Sequence, residues 1–444
     1  MTSIVTRRDT LRLAAGGAAL AALTERVAAQ PVPRTEVAAP KLPIENGATL
    51  RILRPARFVE PDETIFRANT AKFQQATGIE TRVDFVGWED IRQQTAVASN
   101  TGTGPDIVLG WAEDPHVYID KLVDLSDVAE YLGKRYGGWS FLAQKYGKKD
   151  KSETWIGIPF GGATGPLVYR KSAVKEAGYD KIPNDHAGYL KLCQALKKLN
   201  KPAGFALGNA VGDGNGFADW LMWTHNASLL DEEGNVIINS KETIAALKYL
   251  KELYPTLIPG TPSWNDVSNN RAYSAGEIAM TFNGVSLYFA LKNDPALVPI
   301  AEDSEHQLPP KGLAAISPMG GLTLNAMVFK HSPSPNAAKS LLQFLMEKEQ
   351  YEPWLNANSG YWSQPLAAYA DAAVWSGDPK VRIFKDTMKS TYYNGYKGPI
   401  STATGAVNAD YVLVQMCASV ATDAATPEAA AAEAERRAKR YFRR

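Results

Sequence analysis

The sequence predicts an α/β protein of two lobes. From residue 50 onward, short apolar runs alternate with amphipathic segments, the signature of strands joined through crossover helices. The chain has 444 residues, more than a single hydrophobic core usually serves. Glycine-rich stretches at 161–165 and 320–321 break the alternation where the chain could pass from one half to the other.

At the N-terminus, Arg7 and Arg8 precede a mildly apolar run over 13–23, and Val27-Ala28-Ala29 is a small-residue cleavage pattern. Residues 1–29 are therefore expected to be a signal peptide of the twin-arginine type. The run is too short and too rich in Ala and Gly to anchor the chain, and no cysteine follows it to carry a lipid. The expectation is an exported, non-lipidated, periplasmic protein. Residues 30–47, with four prolines, read as a linker. A net charge of +1 supplies no field to draw nucleic acid or an acidic membrane, so neither is an expected partner. Cys193 and Cys417 lie on the apolar sides of helical patterns, as buried thiols do, and spacing alone does not say whether they meet.

Residues 50–53 alternate apolar with charged and read as the first strand. A helix follows over 62–77, stopped by Gly78, then a strand over 81–86 and a helix over 88–99. After the break at 101–105 comes a buried strand over 106–109, with Trp111 and Asp114 at its carboxyl end. In open α/β sheets that end is where ligands sit. Strand, helix, strand, helix, strand predicts a parallel sheet. Residues 122–131 add an edge and a helix. Two apolar runs, 155–159 and 167–169, flank a glycine-rich turn. Further on, helices are expected over 185–199, 216–230 and 240–253, the last capped at Ser240, with a strand over 204–207. The run 276–284 reads as a strand with a helix opening at Val285. A strand ending at Phe329, a helix over 334–348, an aromatic loop over 358–365 and C-terminal helices complete the chain.

Four motifs in this order carry a resemblance. Gly104-Pro105-Asp106-Ile107-Val108 is followed by Trp111-Ala112-Glu113-Asp114. Ile158-Pro159 precedes Leu167-Val168-Tyr169-Arg170-Lys171. Then come Gly276-x-x-Ala279-Met280-x-x-x-Gly284 and the loop Asn358 to Pro365. Together they resemble the maltose-binding branch of the extracellular solute-binding proteins of ABC importers. The resemblance implies an α/β, two-lobed periplasmic-binding-protein type II fold (maltose-binding-like) with a hinge of crossing segments. It implies a first lobe over 48–160 completed by 322–357, and a second over 161–321 completed by 358–444. Gly161, Gly162, Gly320 and Gly321 would be hinge positions. It also implies a monomer that captures a mono- or oligosaccharide and hands it unaltered to the permease subunits, with no catalytic residue, cofactor or metal. Ala163, Ser286 and Asn209 stand where the maltose-type pattern has a glutamate, a tryptophan and an acid, which argues against maltose itself and leaves the carbohydrate class open.

A flat aromatic ring stacks on the apolar face of a pyranose, while the hydroxyls need fixed donors and acceptors. Trp111, Tyr361 and Trp362 are the expected plates. Trp88, just after the second strand, is a further candidate. So is Trp220, although its spacing from Trp223 first suggests core. Asp114 is the expected acceptor for two hydroxyls; Thr164, Asn209 and Asn283 are neutral hydrogen-bonding candidates. Arg57, after the first strand, could instead meet an anionic solute such as a glycerol phosphate or an acidic sugar, a reading that expects an Arg or Lys pair in the cleft. A secreted carbohydrate-active enzyme would need two carboxylates facing each other about 5–10 Å apart. Enzyme motifs fail on inspection: residues 212–216 echo a phosphate loop without its third glycine, no Gly-x-Ser-x-Gly or Walker motif occurs, and the histidines lack metal spacing.

Overall fold

The computed structural model describes residues 34–442 except Glu89 and Ser390; the expected export signal over 1–29 lies outside them. Leu50, Ile52 and Leu53 are buried and make β1 (Thr49–Pro55) the inner strand of a parallel trio with β2 (Glu80–Val86) and β3 (Ile107–Gly110). The crossovers are α1 (Glu60–Thr77) and α2 (Asp90–Thr101). Helix α1 carries Glu60, Asp62 and Glu63 in its first turn and stops at Gly78 at φ 75°, as the helix dipole and a left-handed cap favour.

Strand β4 (Ile158–Thr164), which leads out to the other lobe, and β8 (Gly321–Val328), which returns from it antiparallel to both β3 and β4, complete a five-stranded sheet of order β2-β1-β3-β8-β4. The sheet is thus mixed, not parallel throughout. The glycine-rich stretch expected as a turn lies inside β4, whose ladder with β8 continues to Thr164 opposite Gly321. The chain crosses at Gly165-Pro166, so the first lobe keeps four residues, 161–164, that the sequence assigned to the second. Gly161 and Gly162 serve close packing here: a Cβ on Gly161 would lie 2.9 Å from that of Trp362.

The second lobe holds a three-stranded sheet, β6-β5-β7, from β5 (Leu167–Arg170), β6 (Met280–Phe282) and the polar β7 (Ser304–Gln307), which hydropathy does not reveal. Residues 204–207 form no strand; only Ala203 bridges, to Leu257 and Met280. Helices α3 (Asp114–Val117), α4 (Ser126–Arg135), α10 (Pro335–Met346) and α11 (Lys348–Ala357) belong to the first lobe, α5 (His186–Lys198), α6 (Asp213–Trp223), α7 (Lys241–Leu253), α8 (Ser268–Ser274) and α9 (Val285–Asn293) to the second. Helix α6 begins three residues earlier and ends seven earlier than the periodicity suggests. Ser240 accepts the Thr243 N–H, capping α7 as expected. The second core is built from these helices and from α12 (Thr402–Ala409), α13 (Val412–Ala421) and α14 (Pro427–Tyr441) at the C-terminus. Cys193 and Cys417 are both buried in it as free thiols.

Residues 358–384 do not simply join the second lobe. Tyr369 stacks on Tyr136 at 5.1 Å and donates to the Met346 carbonyl (2.8 Å), which ties this stretch to the first lobe. Asp378 meanwhile accepts from Tyr288 and Lys292 of the second lobe, both at 2.9 Å. The described part of the proline-containing linker is not a free tether. Glu45 accepts the Asn336 and Ala337 N–H groups at the start of a first-lobe helix, and the Thr35 N–H donates to the Arg135 carbonyl. Among the described residues no helix is long and apolar enough to cross a membrane.

Candidate functional site

A cavity of about 1120 Å³, mouth included, opens between the lobes at the carboxyl end of β3. Trp111 and Glu113 line it from the first lobe; Asp114 does not. Gly110 leaves room for the Asp114 carboxylate to fold back, since a Cβ there would lie 2.5 Å from its Oδ2. That carboxylate accepts the Trp111 backbone N–H (2.8 Å) and faces Arg92 Nε (3.3 Å). Burial pushes the Asp114 carboxyl up to about 6, against the pull of Arg92. Asp114 therefore fixes the strand end that presents Trp111, and its neighbour Glu113 supplies the acceptor. Glu113 also bridges the lobes: beside its ion pair with Arg92, it accepts from Asn394 (3.0 Å) and from Asn408 of α12 (3.2 Å).

Of the expected aromatics, Trp111, Tyr361 and Trp220 line the cavity, and Trp88 and Trp362 stand behind it. Trp111 and Tyr361 line the cavity with Phe58. Trp88 stands behind, 4.8 Å from Trp111 and 5.6 Å from Phe58, and accepts the Trp111 indole N–H at its carbonyl. Trp362 is fully buried behind Tyr361, with its indole N–H directed at Asp62 (3.4 Å). Neither Trp88 nor Trp362 reaches the cavity.

The second lobe supplies most of the polar wall. Helix α6 brings Asp213, Asn215, Asp219 and Trp220 to the cavity. Asp266 caps that helix, accepting the backbone N–H groups of Val211, Gly212 and Asp213 at 2.8–3.0 Å. Trp220 is anchored by its indole N–H to the Pro310 carbonyl (2.9 Å). Asn283 lines the cavity with Asn270 and Ser286, to both of which it is hydrogen-bonded. Thr164, at the crossing, is 4 % exposed, and its hydroxyl has no partner. Gly320 and Gly321 line the second crossing, where a Cβ would lie 3.2 Å from Gly216 Cα and 2.5 Å from the Thr391 methyl, respectively. A smaller space of about 440 Å³ shares Asn215 and Asp219 with the first.

Arg57 and Asn209 lie elsewhere. Arg57 is on the surface, paired with Glu63, and Asn209 is exposed beside Gln415. Among the described residues no Lys or Arg lines the cavity; Arg92 stands behind Glu113. Four carboxylates do line it, and two are displaced from ordinary behaviour. Burial, and then the charge of Glu113, pushes Asp219 up to about 8. Burial, and then Asp266, raises Asp213 well above the usual range. Sequence reasoning missed Glu113, Asp213 and Asp219. The signal for the last two was helical spacing: 213, 216 and 219 follow one another at i, i+3 along one side once the helix starts at Asp213, a start hidden by reading the glycines of 212–216 as loop. No cluster of three or more His, Cys, Asp or Glu among the described residues could hold a metal.

Residues 68–383, well over half of the chain, match the profile of a family described as bacterial extracellular solute-binding protein. YcjN of Escherichia coli (strain K12), named for an ABC transporter periplasmic-binding role, is 22% identical over 302 residues, which span 64% of this chain and 65% of that protein. A sugar transporter structure from Arthrobacter chlorophenolicus A6 with bound laminaribiose superposes with a TM-score of 0.76 at 16% identity, covering 89% of this chain and 100% of that one. A solute-binding protein of Agrobacterium radiobacter K84 in complex with ribitol gives 0.73 at 19% identity, covering 89% and 99%. The two-lobed scaffold is theirs as well as this chain's, and the profile match makes this chain a member of the bacterial extracellular solute-binding proteins.

Proposed function

We propose that this protein captures a carbohydrate or polyol between its lobes and delivers it, unaltered, to the permease of an ABC importer. The observation that carries the reading is the composition of the cavity wall. Aromatic faces from Trp111, Tyr361 and Phe58 oppose amide and carboxylate groups from Asn283, Asn215 and Asp219, a pairing suited to a ring with one apolar face and a rim of hydroxyls. Thr164 adds an unpartnered hydroxyl at the crossing. The anionic alternative fares worse, because among the described residues a phosphate or acid would meet carboxylates with no lining cation. The neighbours' laminaribiose and ribitol are compatible with this class of solute.

Closure follows from the same groups. A solute touching both walls stabilises the state in which Glu113 reaches Asn408, and only such differential contact can shift the lobes. A thermal-shift screen against neutral sugars, polyols, sugar phosphates and sugar acids tests the proposal. A solute at a hundred times its dissociation constant adds about 2.7 kcal/mol to stability. Stabilisation by neutral sugars or polyols is expected. Stabilisation by phosphates or acids alone would overturn the reading, and so would turnover of the bound solute.

A further inference from the structure

We propose that the solute carries a protonated nitrogen as well as hydroxyls, as in an amino sugar or an aminocyclitol, and that Asp219 receives it. The inference rests on the carbohydrate reading of the same cleft and narrows it.

Asp219 is 9 % exposed, lines the cavity, and makes no side-chain hydrogen bond among the described residues. A carboxyl group removed from water without a donor is costly unless something arrives to pair with it. Its neighbours do not pair with it. Glu113 has the same charge, and the guanidinium behind Glu113 is shared with Asp114. Asp213 Oδ2 is a buried carboxylate oxygen without a hydrogen-bond partner among the described residues. Asp266 is already occupied by three backbone N–H groups. Once ionised, the lining carboxylates are acceptor-only groups in excess.

A sugar hydroxyl answers this poorly, because it brings one donor along with lone pairs of its own. The amides of the wall, which donate and accept, already suit hydroxyls. An ammonium group brings up to three donors, no acceptor, and the charge that lets Asp219 ionise. Trp220, next to Asp219 in the chain, adds an aromatic ring that favours a cation near its face. The shift of Asp219 toward the neutral form fits this arrangement, since an incoming cation would repay the desolvation that causes it.

The test compares matched pairs by titration calorimetry at pH 7. D-glucosamine, D-galactosamine and D-mannosamine are each set against the parent hexose and the N-acetylated sugar, and chitobiose amine (the glucosamine disaccharide) against cellobiose. A hydrogen bond to a charged group is worth roughly 1.5–3 kcal/mol, so the amine of at least one set should bind about tenfold or more tighter than both uncharged counterparts. Asp219→Asn, near-isosteric, should narrow that ratio to within about threefold, whatever it does to the hexose affinity itself. The N-acetyl comparison needs no variant and holds even where Asp219→Asn does not fold. Equal or tighter binding of the uncharged members would overturn the amine inference and leave the carbohydrate reading standing. Binding by no member of any set, with polyols also inert, would overturn both.

Discussion

At the residue scale, one carboxylate displaced another. Asp114 carried the expected acceptor role, yet it is spent on the Trp111 backbone N–H and Arg92, and Glu113 takes the cavity. Sequence places both acids just past a strand end, but which of two adjacent side chains turns inward depends on a tertiary partner, here Arg92 arriving from α2. Trp111 was legible because it follows a buried strand directly. Trp111→Ala is expected to weaken carbohydrate binding, measured by calorimetry. Since Trp111 also packs on Trp88, the same change should cost about 3 kcal/mol of stability in denaturant unfolding. Trp111→Phe, which keeps a ring, should recover part of both; unchanged affinity in a folded Trp111→Ala would assign the residue to the core alone. Asp219 carries a pH signature. Its carboxyl is raised from 3.8 to about 8 in the folded protein, so between those values the unfolded chain has lost a proton that the folded one keeps. Stability from this group is full below about 4 and falls as pH rises toward 8. Asp219→Asn should therefore gain stability relative to wild type as pH rises from 5 to 8, read as a growing difference in Tm without solute. A difference flat in pH would contradict the burial that defines the site.

At the element scale, strands and helices with strong periodicity were legible: β1, β2, α1, α7 and the helix opening at Val285 stand where the residues put them. Three kinds of element were not. The polar strand β7 has no hydropathic signal, because its partners rather than its side chains make it a strand. Residues 204–207 have the apolar content of a strand and no ladder, because a Cβ on Gly204 would already meet the Trp264 ring at 2.6 Å and that side chain fills the space beside it. Gly161 and Gly162 looked like a turn, since glycine for close approach and glycine for bending are the same letter. The crossings gain a prediction from that distinction. Gly321→Ala would place a methyl 2.5 Å from the Thr391 methyl, so it should cost about 1–3 kcal/mol, whereas an open-space change such as Gly216→Ala should cost little. Equal Tm values for the two variants would show that the crossing is not packed.

At the scale of the whole molecule, the two lobes, their order and the place of the cleft followed from chain length, alternation and four spaced motifs. Most of the second-lobe wall did not, because the residues facing the cavity come from separate segments at 213–220, 266–286 and 394–408 that meet only in the folded chain. The lobes touch through Glu113 and Asn408, and α12 packs so closely on α3 that a Cβ on Gly405 would lie 2.9 Å from Val117. Removing that hydrogen bond with Asn408→Ala should shift the solute-free protein toward an open shape, seen as a larger radius of gyration by X-ray scattering that saturating solute reverses. A radius unchanged by both variant and solute would mean that this contact does not govern closure. The most direct measurement is the crystal structure of the complex with the first sugar or polyol that stabilises the protein. The expected result is an intact solute against Trp111 on one side and against Asp219 and Asn283 on the other. A solute seated outside this cleft, touching one lobe only, or recovered cleaved would contradict capture between the lobes.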